Sequence, residues 1–166
     1  MNTKQKRMTI IVVLLLLLIS GLIGYRLLHK DNGLVFDSSA KKYDAKIKKP
    51  QDWTNTRIAF PGYKDTKIME GDKELYIALS NPSFNEANFK FKVYIDHEDK
   101  EHELLDSDLV KPGEAITQVS LPKDLTAGEH MVFLRIKPFP PHDKTAKLND
   151  YKTSFKLMVL KPEEKG

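Results

Sequence analysis

The stretch FKFKVYI, Phe89–Ile95, decides the fold class of this chain. Phe91 and Val93 point to the same side as the two ends of the stretch, whereas Lys90 and Lys92 point to the other side. Side chains of a β-strand alternate between two faces, so this period of two predicts a strand with one buried and one solvated face. An α-helix repeats every 3.6 residues and does not sort these side chains in the same way.

Similar patterns recur on both sides of this stretch. Further strands are predicted at 66–69, 74–80, 115–121, 130–136 and 154–160, with an edge strand around Leu104 and Leu105. Turn sequences such as NPSFNEAN (81–88), KPG (111–113) and AGE (127–129) separate them, while KPFPPHD (137–143) is too rich in proline for the interior of a strand. About seven or eight short strands without a helical stretch predict an all-β sandwich over residues 55–161.

The segment RIAFPGY, Arg57–Tyr63, is predicted to be the first strand of this sandwich. Ile58 and Phe60 would face the core, and Pro61 and Gly62 would form a type II turn in which Gly62 takes a positive φ. The alternative interpretation is a contact surface for a ligand or a partner.

An apolar run precedes the predicted sandwich. Met8–Tyr25 contains eighteen residues without a charge. As a helix it extends about 27 Å, close to the hydrocarbon thickness of a bilayer. With basic residues just before it, the run predicts a cytoplasmic N-terminus (1–7), a transmembrane signal anchor (8–28) and a C-terminal domain outside the cell membrane. Cleavage of the run as a signal peptide is the alternative.

The net charge of +4 comes from this N-terminal region. Residues 1–30 contain five Lys or Arg and no acidic residue, and the other 22 basic and 23 acidic residues leave a net charge of −1. This balance gives no reason to expect a nucleic-acid partner. The chain has no cysteine, which excludes disulfides, thiol nucleophiles and zinc–thiolate sites.

Residues 29–54 are predicted to form a basic stalk between membrane and domain. Its lysines are Lys41, Lys42, Lys46, Lys48 and Lys49. One interpretation is a solvated spacer, and the other is a collar that contacts anionic lipid headgroups or an anionic wall polymer. Residues 162–166 are predicted to be a polar tail.

A resemblance to known proteins follows from Leu109–Ile136, in which a Pro-Gly turn opens one strand and a corner of Leu125, Gly128 and His130 opens the next. The pattern resembles bacterial immunoglobulin-like domains, which usually carry Tyr at the last corner position. With RIAFPGY and the 81–88 loop, the layout resembles uncharacterised Gram-positive extracytoplasmic proteins that join one membrane segment to one immunoglobulin-like sandwich. The resemblance implies a fold and no catalytic residues.

The densest polar cluster is DHEDKEHE, residues 96–103. Asp96, His97, Asp99 and His102 are the candidate ligands if the cluster binds a divalent cation. The alternative is a solvated hairpin tip, because the spacing is not that of a calcium loop. No nucleophile elbow, phosphate-binding loop or metalloprotease motif occurs, so we predict neither an enzyme nor a cofactor.

Four aromatic residues are candidates for a contact surface: Trp53, Tyr63, Tyr94 and Phe139. Each has an alternative role in packing. The predicted function is a membrane-anchored binding or scaffolding module of a Gram-positive cell envelope, an accessory part of a surface, secretion or conjugation apparatus, with an envelope protein or an anionic wall polymer as partner. The alternatives are a cleaved secreted adhesin or wall-polymer-binding domain, and a metal-dependent site at 96–103.

Overall fold

The computed structural model describes residues 35–54, 57–141 and 149–162, together with positions 2, 4, 5, 9 and 12. The chain divides into two compact units, Met1–Gly33 and Leu34–Gly166. Eight strands occur in the described part of the second unit: β1 (Lys41–Lys42), β2 (Thr66–Met69), β3 (Glu74–Asn81), β4 (Asn88–Ile95), β5 (Glu103–Val110), β6 (Glu114–Ser120), β7 (Gly128–Phe139) and β8 (Tyr151–Leu160).

The predicted membrane-spanning helix, residues 8–28, lies outside the described residues except for Thr9 and Val12. Among the residues that are described, no helix has the length and apolar character needed to cross a membrane. Of the predicted tail, residues 162–166, only Pro162 is described.

The eight strands form two sheets. The larger has the order β2-β8-β7-β4-β5, and the smaller has the order β1-β6-β3. Neighbouring strands are antiparallel except β2, which runs parallel to β8 with Thr66 opposite Leu157. The domain is therefore all-β, as predicted.

Both sheets contribute to one hydrophobic core. Phe89, Phe91 and Val93 of β4 are completely buried, and Leu79 of β3 and Val119 of β6 pack in the same cluster. The alternation predicted for β4 is confirmed. Two sheets that bury one shared core agree with a β-sandwich.

The prediction of a stalk over residues 29–54 is wrong for its described part near the first strand. Lys41 and Lys42 pair with Ala115 and Glu114 of β6. Earlier in the chain, Leu109 N–H donates to the carbonyl of Val35. Local periodicity did not predict this because two-residue pairings between distant segments leave no alternating pattern in the sequence.

The prediction of a strand and a type II turn at Arg57–Tyr63 is also wrong. Residues 57–65 form no strand, and Gly62 is not among the glycines with positive φ. Instead, the Asn85 side chain bonds both backbone groups of Ala59, accepting from N–H at 2.9 Å and donating to the carbonyl at 2.7 Å. Ile58 and Phe60 still pack on the core, as predicted.

A buried amide network explains why the 81–88 loop is rich in asparagine. Asn81 is fully buried, and its Nδ2 donates to the carbonyls of Ala87 (2.9 Å) and Val110 (3.0 Å). Asn85 Nδ2 also donates to Asn81 Oδ1 at 2.8 Å. The network joins β3, the start of β4, the end of β5 and the segment before Phe60. Unpaired, each of these buried groups would cost about 1–3 kcal/mol.

The strand β7 is longer than predicted, since Pro138 lies inside it opposite Phe89 of β4. Its pairing with β8 ends where Ile136 lies opposite Tyr151, so the last residues of β7 have a strand partner on one side only. Proline is tolerated there because it lacks an N–H group only where the strand has become an edge.

Candidate functional site

The outer edge of β3 is the longest strand edge that no other described strand covers. It ends the smaller sheet and runs for eight residues. The other three sheet edges are protected: β1 and β2 have two and four residues, and Val35 and Asp37 bond the backbone of Leu109 at the end of β5. Proteins commonly shorten or cover such edges because unpaired backbone groups attract another strand.

The backbone of β3 directs hydrogen-bonding groups away from the sheet. Leu121 N–H donates to the carbonyl of Lys73 at 2.9 Å, which fixes the bonded pairs of the β3–β6 ladder. Bonded and non-bonded pairs alternate in antiparallel sheets, so Glu74 and Tyr76 point their N–H and carbonyl groups outward. Among the described residues, nothing bonds these outward groups. A register shift between Tyr76 and Leu79 ends the regular stretch.

A groove of about 270 Å³, here called the edge groove, follows this edge. Tyr43, Tyr63, Lys64, Tyr76 and Ser80 are among its lining residues. The Tyr76 ring is 74% exposed and the Tyr43 ring 39%. A second hollow of about 520 Å³ adjoins the groove, because Tyr43 and Ala45 line both. Exposed aromatic rings beside a groove are typical of binding surfaces.

Two hydroxyl groups of the edge groove are buried without a hydrogen-bond partner among the described residues: Ser80 Oγ and Tyr63 Oη. Ser80 is only 1% exposed, and the Tyr63 ring stacks on Phe155 with centroids 6.1 Å apart. Burial raises the pKa of the Tyr63 phenol, so the group keeps its proton and remains a donor. Buried hydroxyls usually find a partner, which makes this pair the least satisfied polar feature described.

The charges around the edge groove are mainly positive. Lys64 is the one charged residue among the described residues that line it. The predicted surface-contact lysines lie on the segment that supplies Tyr43 and Ala45: Lys41, Lys42, Lys46, Lys48 and Lys49. All five are exposed, and Lys46 pairs with Asp44 at 2.7 Å. The remaining four have no carboxylate partner among the described residues, so their charges are open to an anionic partner.

The outer face of the larger sheet has the opposite character. Lys92 Nζ lies 2.7 Å from Asp106 and 3.1 Å from Glu103, and Lys90 lies 3.0 Å from Asp106. The hydrogen bond to Asp106 raises the pKa of Lys92. Burial alone would raise the pKa of Asp106, but bonds from Lys92 and Lys90 outweigh it and lower that pKa. The face is therefore a set of mutually satisfied charges.

The four candidate metal ligands do not converge on one point. Asp99 Oδ1 bonds His102 Nδ1 at 2.7 Å, and the rings of His97 and His102 meet edge to face at 4.8 Å. Asp96 points instead to His130. Across the described ranges 35–54, 57–141 and 149–162, no group of three or more His, Asp or Glu side chains has a geometry able to hold a metal ion.

The corner predicted at Leu125, Gly128 and His130 is built as a hydrogen-bonded clamp. His130 Nε2 lies 2.9 Å from the Thr126 carbonyl, and Nδ1 lies 2.7 Å from Asp96 Oδ2. Because both partners are acceptors, an ionised Asp96 favours the doubly protonated imidazolium. Burial alone would lower the pKa of His130, but the bonds to Asp96 and Thr126 outweigh it and raise that pKa.

The predicted aromatic contact residues mostly have packing roles. Tyr94 is 6% exposed beneath Arg135, and Phe139 is 7% exposed, so neither offers an open surface. Trp53 packs edge to face on Phe84 with centroids 4.8 Å apart. Of the four, only Tyr63 lines the edge groove.

The sequence prediction missed Tyr43 and Tyr76. Tyr76 had a usable signal, because it occupies an outward position between Leu75 and Ile77 in the alternating stretch 74–80. Tyr43 had none, since its place beside β3 depends on tertiary pairing. No protein-family model matches this chain, and no curated protein is significantly similar to it.

Proposed function

We propose that this chain is a non-catalytic binding module whose ligand site is the edge groove. The carrying observation is the meeting, at one strand edge, of outward backbone groups, two unpartnered buried hydroxyls and the exposed rings of Tyr43 and Tyr76. Each of these features gains a favourable interaction when a ligand covers it. The paired charges on the larger sheet offer a partner no comparable gain.

The setting we propose is the outer side of a Gram-positive cell membrane, with residues 8–28 as an uncleaved anchor and an immunoglobulin-like domain outside. The apolar run and its basic flank support the anchor. The strand order supports the domain type: β8, β7 and β4 match the G, F and C strands, with β3 and β6 as B and E. His130 takes the place of the corner tyrosine and bonds backward to Thr126.

In this setting the domain holds an envelope component close to the membrane, as an accessory part of a surface, secretion or conjugation apparatus. A wall-polymer-binding domain is the second candidate, favoured by the exposed lysines of residues 41–49. Mass spectrometry of the mature N-terminus tests the anchor. A chain that begins at or near Met1 is expected, and cleavage after the apolar run would establish a secreted form instead.

Photocrosslinking tests the binding site itself. A photoreactive phenylalanine analogue replaces Tyr76 in the full chain, expressed in a Gram-positive host, and Tyr151 is replaced in a matched control because it is exposed but outside the groove. Illumination is expected to attach an envelope component at position 76 and none at position 151. Equal crosslinking at both positions, or none at either, would contradict the proposal.

A further inference from the structure

We propose that the edge groove binds an extended, acidic peptide segment of a partner protein, which adds to β3 as a further strand. This inference deepens the proposed function and rests on it. It identifies the ligand class from three independent features: the strand edge, the unpartnered hydroxyls and the charge.

The strand edge selects a polypeptide. Glu74 and Tyr76 each present an N–H and a carbonyl outward, and the two sets lie two residues apart along the strand. With a rise of about 3.3–3.4 Å per residue, this spacing matches the outward groups of another extended backbone. Strand addition of this kind gains its affinity from main-chain bonds and its specificity from pockets for alternate side chains.

The side chains of the groove select acceptors. Ser80 and Tyr63 present hydroxyl groups without a partner, and Lys64 adds an ammonium group. Peptide carbonyls and carboxylates accept from all three groups. The exposed rings of Tyr43 and Tyr76 provide apolar surface beside them for the side chains of the added strand.

The charge pattern selects an acidic segment. Residues 41–49, which form one wall of the groove, contain five lysines and one aspartate, and that aspartate pairs with Lys46. On the outer face of the larger sheet, by contrast, the lysines of β4 already have carboxylate partners. The lysines without partners therefore favour a segment that brings its own carboxylates.

The test uses the full chain in nanodiscs and a displayed library of random peptides as the probe. Selected peptides are expected to be extended and rich in Asp or Glu, and their binding should slow hydrogen exchange at the amides of Glu74 and Tyr76. Tyr76→Pro removes one outward N–H group and should weaken binding about tenfold or more, as expected for the loss of one or two strand hydrogen bonds.

Ser80→Ala provides a second test if Tyr76→Pro perturbs the fold. This variant removes a hydroxyl that supports no described contact, so it should leave the melting temperature unchanged and weaken peptide binding several-fold. Tyr151→Ala, outside the groove, should bind like the original chain. Peptides that bind both groove variants normally, or protect amides elsewhere, would overturn the inference.

Three further outcomes would also overturn it. They are binding of a purified anionic wall polymer in place of peptides, concentration-dependent self-association that protects Glu74 and Tyr76, and no selected peptide at all. The first, together with a crosslink at position 76, leaves the proposed function intact. Absence of both peptide binding and crosslinking defeats the proposed function as well.

Discussion

The outer face of the larger sheet and the outer edge of β3 belong to the same domain and treat polar groups in opposite ways. On the face, Lys92 bonds two carboxylates and Asp106 bonds two lysines. At the edge, two buried hydroxyls and the outward backbone groups of Glu74 and Tyr76 have no described partner. A folded domain usually satisfies its buried polar groups, so the difference indicates which surface is completed by something else.

The largest expected effect concerns the paired class of buried polar groups. Asn81→Leu removes the donor to the Ala87 and Val110 carbonyls and the acceptor for Asn85. The free energy of unfolding should fall by about 3 kcal/mol or more, because several buried groups lose their partners together. Urea denaturation monitored by circular dichroism measures it. A loss below about 1 kcal/mol would show that the network contributes little.

Two buried serines compare the paired and unpaired classes directly, since each is 1% exposed. Ser107 Oγ accepts from Phe91 N–H at 2.8 Å and donates to the Asp108 carbonyl at 2.7 Å, whereas Ser80 Oγ bonds no described group. Ser107→Ala should lower the free energy of unfolding by about 1–3 kcal/mol, while Ser80→Ala changes it by about zero or raises it. Equal losses in the two variants would remove the distinction.

The strands were predictable from the sequence, whereas their partners were not. Alternation in 89–95 and 74–80 marks β4 and β3 because a half-buried strand needs apolar residues at every second position. The two-residue strand β1 and the backbone bonding of Ala59 by the Asn85 side chain leave no such pattern. Both arise from contacts between segments far apart in the chain.

The candidate site was predictable to a smaller extent. The outward position of Tyr76 follows from alternation, and Tyr63 was among the candidate contact residues. That Ser80 and Tyr63 lack partners depends on the distances between distant segments, which a sequence does not contain. Tyr94 and Phe139 were expected as possible contacts, but tertiary packing buries both.

A pH titration should distinguish the His130 clamp from the rest of the domain. The folded-state pKa of His130 is raised above its ordinary value of 6.5, so its contribution is fully present below that pH and is lost as pH rises through the folded pKa. Burial alone would raise the pKa of Asp96, but its bonds to His130 and Met131 lower it below 3.8, so its contribution is lost only as pH falls through that lowered value.

The melting temperature should therefore decrease as pH rises from about 6 to about 8. His130→Tyr keeps an aromatic donor for the Thr126 carbonyl and has no charge that titrates in this range, so its melting temperature should depend less on pH. An unchanged pH dependence in the variant would exclude the clamp as the cause.

The smallest expected effect concerns the wall of the edge groove. At Gly62, an added Cβ would meet no atom within 4 Å, and φ is not positive. Gly62→Val should change the free energy of unfolding by less than about 0.5 kcal/mol. Gly113, with φ of +80°, is the control, and its valine variant should cost about 1–2 kcal/mol. A large loss in the Gly62 variant would indicate a conformation that the open wall does not have.

Residue-resolved hydrogen exchange of the full chain without ligand tests the central claim, that the outer edge of β3 is unpaired. Leu75 lies between Glu74 and Tyr76 and faces Val119 in a bonded pair, so its amide should be protected. The amides of Glu74 and Tyr76 should exchange much faster than that of Leu75. If all three amides exchange equally slowly, the edge is already paired and the account of the edge groove is contradicted.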